Sequence, residues 1–526
     1  MKLKPGGKIA LILIVAGAAW YAATNLLPAS VKEKVPMLAG KPAGSGGGSG
    51  GSGGGAGGGG GDVLGRPLRV ALNYWPGFAG GIMANGGFKA NKDSLYWKNH
   101  NLQVEFIDIE IPDQMTKALT AGAPEGVDVM WQTTDTWPST DANLRKAKVN
   151  ARAFLQADWS QGGDAIVASE RVRKIEDLVG KRIGLITLSP SHSLLEEAMR
   201  DSSLEDGQRK QIEAGLKGFD DPSAIVKAFR AGQLDVAITW EPNVTEALKR
   251  PGAHRLLDSG TANKVIGDIF VAKEDFIRKN PKAIKAFVDG WFEGVSEATR
   301  NPSETIQTLK ASMPPLKDMQ DQEVAAMMSK IRLATLSDNT ELFGLDGKEP
   351  LFDKIYDRFA KVWFELGAIP NIPPAQGARD TTALGELFAA TPVPVPPQPS
   401  FKPVEATTPT KPAIMTKRLT IHFATGSAGI QPSSAAALAE LSGMATRIGN
   451  AYLRIEGNTD NTGSRDLNVR LSKIRAQAVA NHLVGQGFDR NRFIVVGNGP
   501  DKPVAPNSSE AGRSRNRRTD IRVVPK

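Results

Sequence analysis

Cysteine is absent from all 526 residues. That excludes disulfides, a thiolate nucleophile, Cys-ligated metal and lipidation at a bacterial lipobox. Histidine is nearly as scarce. Its five copies, His100, His192, His254, His422 and His482, are scattered without metal-ligand spacing. No Gly-x-Ser-x-Gly elbow occurs, and no Gly-Lys-Ser/Thr follows the long glycine run. Neither a hydrolase nucleophile nor a phosphate-cradling loop is indicated. No metal, cofactor or catalytic residue is therefore expected. Acidic residues are missing from the apolar N-terminal segment, which excludes a proton-conducting membrane carboxylate there.

What is present begins with Lys2, Lys4 and Lys8, followed by an uncharged stretch from Ile9 to Val31. Residues 1–8 read as a cytoplasmic basic flank and 9–31 as a transmembrane anchor, with a cleaved signal as the alternative. Residues 32–65 form a Gly/Ser-rich linker, with fifteen glycines in the twenty-two positions 40–61. Such a chain spans about 25 Å on average and about 75 Å when stretched. Residues 391–413 form a second, Pro-rich linker, a stiffer spacer of up to about 70 Å. The large block 66–390 lies between the two, and 414–526 follows.

The 66–390 block alternates strands and helices, which predicts parallel sheets in an α/β architecture. Strands are expected at 68–72, 127–131, 164–168, 236–240 and 266–272. Helices are expected at 114–121, 191–200, 224–231, 281–299, 321–332 and 351–365. Ligands of open sheets sit beyond the carboxyl ends of strands, often at helix N-termini. That rule selects Asn73, Tyr74 and Trp75, then Gln132, Thr133 and Asp135. It also selects Asp158, Trp159 and Ser160 at a crossover, then Ser189, Ser191 and His192, and finally Trp240 and Glu241. Aromatic walls with a few aimed polar groups suit a small organic solute. Asp135, Asp158 and Glu241 favour one with a cationic part. Helix capping or solvation is the alternative role for these acids.

In the last block, a strand at Tyr452–Glu456 leads into a polar turn, Gly457 to Gly463, and then a helix. Leu467, Leu471, Ile474 and Ala478 recur there at the spacing of a buried face, while Asn468, Ser472 and Arg475 share another. Asp460 and Arg475 would line a groove for a ligand with both an amine and a carboxylate. A purely structural ion pair is the alternative.

The run Asn468-x-x-Leu471-Ser472-x-x-Arg475-Ala476-x-x-Val479-x-x-x-Leu483, with Gly512-Arg513-x-x-Asn516-Arg517-Arg518 near the end, resembles the OmpA-like C-terminal domain. The resemblance covers about 414–526 and implies a small α+β domain that holds the diaminopimelate of the peptidoglycan stem peptide. It implies Asp460 on the amine and Arg475 on the carboxylate, with Thr459, Asn468 and Arg518 beside them. Phe423-Ala424-Thr425-Gly426-Ser427 departs from the family's Phe-Asp start. The net charge of +9 and the closing arginines then point to anionic glycan rather than nucleic acid.

Ala228-Phe-Arg-Ala-Gly-Gln-Leu-Asp-Val-Ala-Ile-Thr-Trp-Glu-Pro242 and Ile175-Glu-Asp-Leu-Val-Gly-Lys-Arg-Ile-Gly184 resemble the periplasmic substrate-binding proteins of ABC importers, in the nitrate-, sulfonate- and thiamine-precursor-binding group. This implies a two-lobed fold, with lobe one at 66–165 and 270–390 and lobe two at 166–269. The expected protein is a single-pass inner-membrane protein with its bulk in the periplasm. It would bind peptidoglycan and a small organic solute, serving ABC-type uptake or sensing, with a permease or another envelope protein as partner. A structural connector whose lobes dock a protein, and a cell-wall enzyme, are the alternatives.

Overall fold

The computed structural model describes residues 61–391, 393, 400–404, 411–424 and 426–526. The N-terminal anchor and the glycine tract to residue 60 lie outside the described residues. Among those described, no helix is long and apolar enough to cross a membrane.

Among the described residues, eleven strands precede the Pro-rich segment. They are β1 (Leu68–Leu72), β2 (Val104–Asp108), β3 (Val129–Thr133), β4 (Ala151–Ser160), β5 (Asp164–Ala168) and β6 (Ile183–Leu185). There follow β7 (Leu216–Gly218), β8 (Val236–Trp240), β9 (His254–Asp258), β10 (Gly267–Lys273) and β11 (Ile331–Leu333). They form two sheets, β11-β4-β10-β3-β1-β2 and β7-β6-β8-β5-β9. The chain passes between them twice, from β4 to β5 and from β9 to β10. This is a two-lobed periplasmic-binding-protein fold. β1, β2 and β3 are parallel, but β10 runs antiparallel to both β3 and β4. The amino end of β10 therefore lies at the carboxyl edge of β3, where ligands gather.

Helix Pro190–Arg200 follows β6. Its Pro190 is tolerated because a first-turn N–H has no intrahelical partner. Helix Leu351–Glu365 of lobe one buries Phe352, Ile355, Tyr356, Phe359 and Trp363 along one side, the spacing its sequence predicts. The ring of Trp363 meets that of His192 on the Pro190–Arg200 helix, with centroids 5.3 Å apart.

The last domain is a four-stranded sheet. Its strands are β12 (Met415–Leu419), β13 (Ala451–Asn458), β14 (Phe493–Gly499) and β15 (Thr519–Pro525), in the order β12-β15-β13-β14. Helix Ala435–Arg447 precedes β13, and helix Arg465–Gly485 crosses from β13 to its parallel neighbour β14. Part of the Pro-rich segment lies on this domain: Phe401 stacks edge-on to Tyr452 at 5.3 Å, and its N–H donates to Asp489 at 3.2 Å.

The buried face of helix Arg465–Gly485 corrects the sequence reading. Leu467 and Ile474, expected inside, are 61% and 51% exposed. Asn468, Ser472, Ala476, Val479 and Leu483 are buried instead. The reason is close approach. A Cβ added to Gly457 on β13 would meet the Ser472 carbonyl oxygen at 2.1 Å, and one on Gly497 of β14 would meet that of Val469 at 2.5 Å. Glycine strands let the helix backbone sit against the sheet, so the inward face must be small rather than leucine-rich. Gly457→Ala should lower the stability of this domain by about 1–3 kcal/mol through overpacking against a backbone that cannot yield. Thermal melts of the full chain check it.

Candidate functional site

Two clusters carry candidate chemistry. The first lies at the carboxyl end of β13. Asp460 Oδ1 accepts from the Thr462 N–H at 2.9 Å, and Oδ2 accepts from Arg517 Nη1 at 2.7 Å. Burial raises the Asp460 carboxyl, but the Arg517 and Thr462 bonds outweigh it and hold the group below the usual carboxylate range. It stays charged. Arg475 does not bond Asp460. Its Nε donates to the Ser427 carbonyl at 3.0 Å, and its guanidinium lies 4.9 Å from the centre of the Phe423 ring. Among the described residues, none accepts from its Nη1 or Nη2. Burial lowers the Arg475 guanidinium somewhat, and the nearby Asp460 charge opposes this. The result is an oriented anion beside a cation whose planar fork is available. That suits a zwitterion better than a closed ion pair would.

The neighbours have other tasks. Asn468 Nδ2 donates to the Thr462 carbonyl at 2.9 Å, and Thr459 Oγ1 to that of Asp460 at 2.8 Å; both shape the turn. Arg518 is 6% exposed, turned inward onto Asp520 at 2.8 Å and the Lys502 carbonyl at 3.0 Å. Arg517, not singled out in the sequence, is the arginine that reaches Asp460. The two adjacent arginines, between helix Glu510–Asn516 and β15, differ in burial: the Arg517 side chain is 42% exposed and that of Arg518 4%.

The second cluster lies where the two lobes meet. Asp135 follows β3, Asp158 is on β4, Asp164 opens β5, and Asp268 sits at the amino end of β10, opposite Asp158 in register. All four are buried. Trp75 Nε1 donates to Asp158 Oδ2 at 3.1 Å. Gly77 is required for this bond, since a Cβ there would meet that oxygen at 1.8 Å. Asp158 Oδ1 and both oxygens of Asp135 have no hydrogen-bond partner among the described residues. Burial pushes Asp135 up to about 6, against the lowering pull of Ser193 and Thr133. It pushes Asp158 up to about 7, against Asp268 and Trp75. Asp164 also rises to about 7, by burial opposed by Ser160 and aided by the charges of Asp135, Asp158 and Glu241. Asp268 is also raised well above the usual carboxylate range, by burial and then by Asp158. Among the described residues, no Lys or Arg is paired with any of the four.

The remaining predicted positions divide. His192 accepts from the Leu188 N–H through Nδ1 at 3.1 Å, and burial lowers it to about 4, so the ring is neutral. Its Nε2, the hydroxyls of Ser191 and Ser193, and Asn73 Oδ1 have no hydrogen-bond partner among the described residues. Ser189 Oγ donates to the Ile186 carbonyl at 2.7 Å, and Thr133 Oγ1 pairs with Thr136 Oγ1 at 2.6 Å. The Tyr74 ring packs by Phe88, centroids 6.2 Å apart, and its N–H donates to Glu110 at 2.9 Å. Trp159 is 1% exposed, packed against Gly267. Trp240 stands opposite Asp164 in register. Glu241 is already engaged by Arg255 at 2.8 Å, the Thr245 N–H at 3.0 Å and Lys330. Burial alone would raise it, yet Lys330 and Thr245 hold it below the usual range. Asp164 and Asp268 were missed because attention to carboxyl ends of strands passes over the amino end of an antiparallel one.

Comparison with known proteins adds the family context. The OmpA family matches residues 422–517, and the NMT1/THI5-like family matches 92–305. The chain is a fusion of these two kinds of domain. The OmpA-like segment is 37% identical over 105 residues to the probable lipoprotein YiaD of Escherichia coli (strain K12), covering 20% of this chain and 48% of that protein. It is 36% identical over 103 residues to the peptidoglycan-binding protein ArfA of Mycobacterium tuberculosis (strain ATCC 25618 / H37Rv), covering 20% and 32%. The NMT1/THI5-like segment is 28% identical over 216 residues to the taurine-binding periplasmic protein of Escherichia coli (strain K12), covering 40% and 63%. The chain thus spans less than two-thirds of each of these relatives.

The aspartate cluster has a pH signature. Carboxyls that titrate above their ordinary range when folded bind more protons folded than unfolded. Their contribution to stability is full below about pH 4 and is lost as pH rises through 6 to 7. The Asp158→Asn variant should therefore lose less melting temperature than wild type between about pH 5 and about pH 8. Melts across that range test it.

Proposed function

We propose that this protein binds peptidoglycan through its OmpA-like domain and a small amine-bearing organic solute between its two lobes. The observation that carries the wall-binding half is the pairing of a charged, Arg517-held Asp460 with an Arg475 whose fork is open. A diaminopimelate end group presents an ammonium and a carboxylate at one carbon, and the two side chains match it. ArfA, named for peptidoglycan binding, aligns over this domain.

The solute half rests on four buried aspartates with no paired cation. A low-dielectric site tolerates such groups when the ligand brings the positive charge. The taurine-binding relative fits, since taurine carries an ammonium as well as a sulfonate. Glu241 is excluded as the ammonium acceptor because Arg255 and Lys330 occupy it. In this reading the protein works by recognition at both ends, without catalysis. The basic-then-apolar N-terminus tethers the chain to the inner membrane as a single pass, and an ABC-type permease receives the solute.

Two measurements test the halves separately. Co-sedimentation with purified sacculi should be lost, by tenfold or more, in the Asp460→Ala, Arg475→Ala double variant. Retention at wild-type level would remove the wall-binding half. Taurine should raise the melting temperature of the full chain, and ethanesulfonate, which lacks only the ammonium, should not. Equal stabilisation by both would remove the amine assignment.

A further inference from the structure

The Pro190–Arg200 helix of lobe two begins at the solute cleft, with Ser191, His192 and Ser193, and ends at a second acidic pair. Glu197 is 2% exposed and Asp201 1%. Two arginines from different parts of the chain converge on these carboxylates. Arg358, on the Leu351–Glu365 helix of lobe one, donates from Nε to Glu197 at 2.5 Å and from Nη2 to Asp201 at 3.2 Å. Arg447, the last residue of helix Ala435–Arg447 in the wall-binding domain, donates from Nε to the other Glu197 oxygen and from Nη2 to Asp201 at 3.0 and 3.1 Å. Its side chain is 12% exposed.

Further bonds seat the same domain on lobe two, among them that of the Lys264 N–H to the Arg447 carbonyl at 3.3 Å. The Ile175 N–H donates to the Ile414 carbonyl at 2.9 Å, and the Thr416 N–H to Glu176 at 3.0 Å. Lys417 Nζ donates at 2.7 Å to the Arg200 carbonyl, a cation on a helix C-terminus. Closure of the lobes has its own second strut, Arg200 to Glu365 at 2.6 Å.

We infer that the wall-binding domain acts as a third clamp on the binding module, with its Arg447 locking the two lobes in the closed arrangement. Glu197 and Asp201 are desolvated in the closed form and need two cations. Lobe one supplies one, and the docked domain supplies the other. Without Arg447 the closed form holds an uncompensated buried charge, which is strongly unfavourable. Opening the lobes withdraws Arg358 and relieves it. Docking therefore favours closing, and by linkage closing favours docking. The wall site remains free meanwhile. Asp460 lies past the carboxyl end of β13 and Arg447 before its amino end, about 25 Å away by strand length. A domain gripping peptidoglycan can thus hold the solute lobes shut, and its undocking favours solute release.

Because the chain has no cysteine, Lys98→Cys in lobe one and Lys217→Cys in lobe two can carry a label pair on the full chain. Distances are then read without solute or sacculi, so the outcome is independent of both binding assignments. The parent should show one short separation. Arg447→Gln should add a longer one, and Arg447→Lys should restore the short one. The decisive variant is Arg447→Gln with Glu197→Gln. It leaves one carboxylate for Arg358 and should return the distribution to the parent's. The inference is overturned if Arg447→Gln superposes on the parent. It is equally overturned if the charge-balanced double variant stays as open as the single one, which would mark Arg447 as packing only. Should Arg447→Gln fail to fold, Arg358→Gln alone and Arg358→Gln with Glu197→Gln supply the same comparison from lobe one, with the same outcomes.

Discussion

A carboxylate taken out of water must find a positive charge or give up its own, and this molecule meets that constraint in three ways. At Asp460 the cation is internal: Arg517 holds the group charged and oriented. At Glu197 and Asp201 the cations come from two other domains, so the acids join lobe one, lobe two and the wall-binding domain. Between the lobes, Asp135, Asp158, Asp164 and Asp268 are buried with no paired cation among the described residues. The second arrangement builds an interface; in the proposed function the first prepares an anion for a ligand and the third leaves room for a charge brought from outside.

The Pro190–Arg200 helix connects the second and third arrangements. Its first turn carries Ser191, His192 and Ser193 at the proposed solute cleft, and its last turn presents Glu197 to Arg358 and Arg447. A rigid element of eleven residues with the proposed ligand site at one end and a domain interface at the other can bias both. Lobe one touches it at each end, through Trp363 against His192 and through Arg358 and Glu365 near its C-terminus.

Much of the local structure was legible in the sequence. The β1, β5 and β8 spans and the 351–365 helix agree to the residue, because hydrophobic runs bounded by Gly, Pro and Asp fix short elements well. The 321–332 helix ends early, at Met328, and Ile331–Leu333 joins the sheet edge as a strand. The 465–485 helix was oriented by its leucines, but β13 and β14 present glycines where it crosses, and the small side chains went inward. The spacing brings Asp460 and Arg475 near one another, as the structure has them, whereas the Arg517–Asp460 bond depends on where the chain returns before β15. Arg447 could not be anticipated. Its partners lie about 250 positions away, and only tertiary structure brings them together.

The proposed wall site would separate two stem peptides that differ at one carbon. Diaminopimelate carries an ammonium and a carboxylate on its side-chain end; lysine carries the ammonium alone. The most direct measurement is the equilibrium binding of a diaminopimelate-containing tripeptide to the full chain, with the lysine-containing tripeptide as comparison. Saturable binding of the first at least tenfold tighter than of the second is predicted, because only the first engages the Arg475 fork. Equal affinity for both, or binding of neither, would contradict the account.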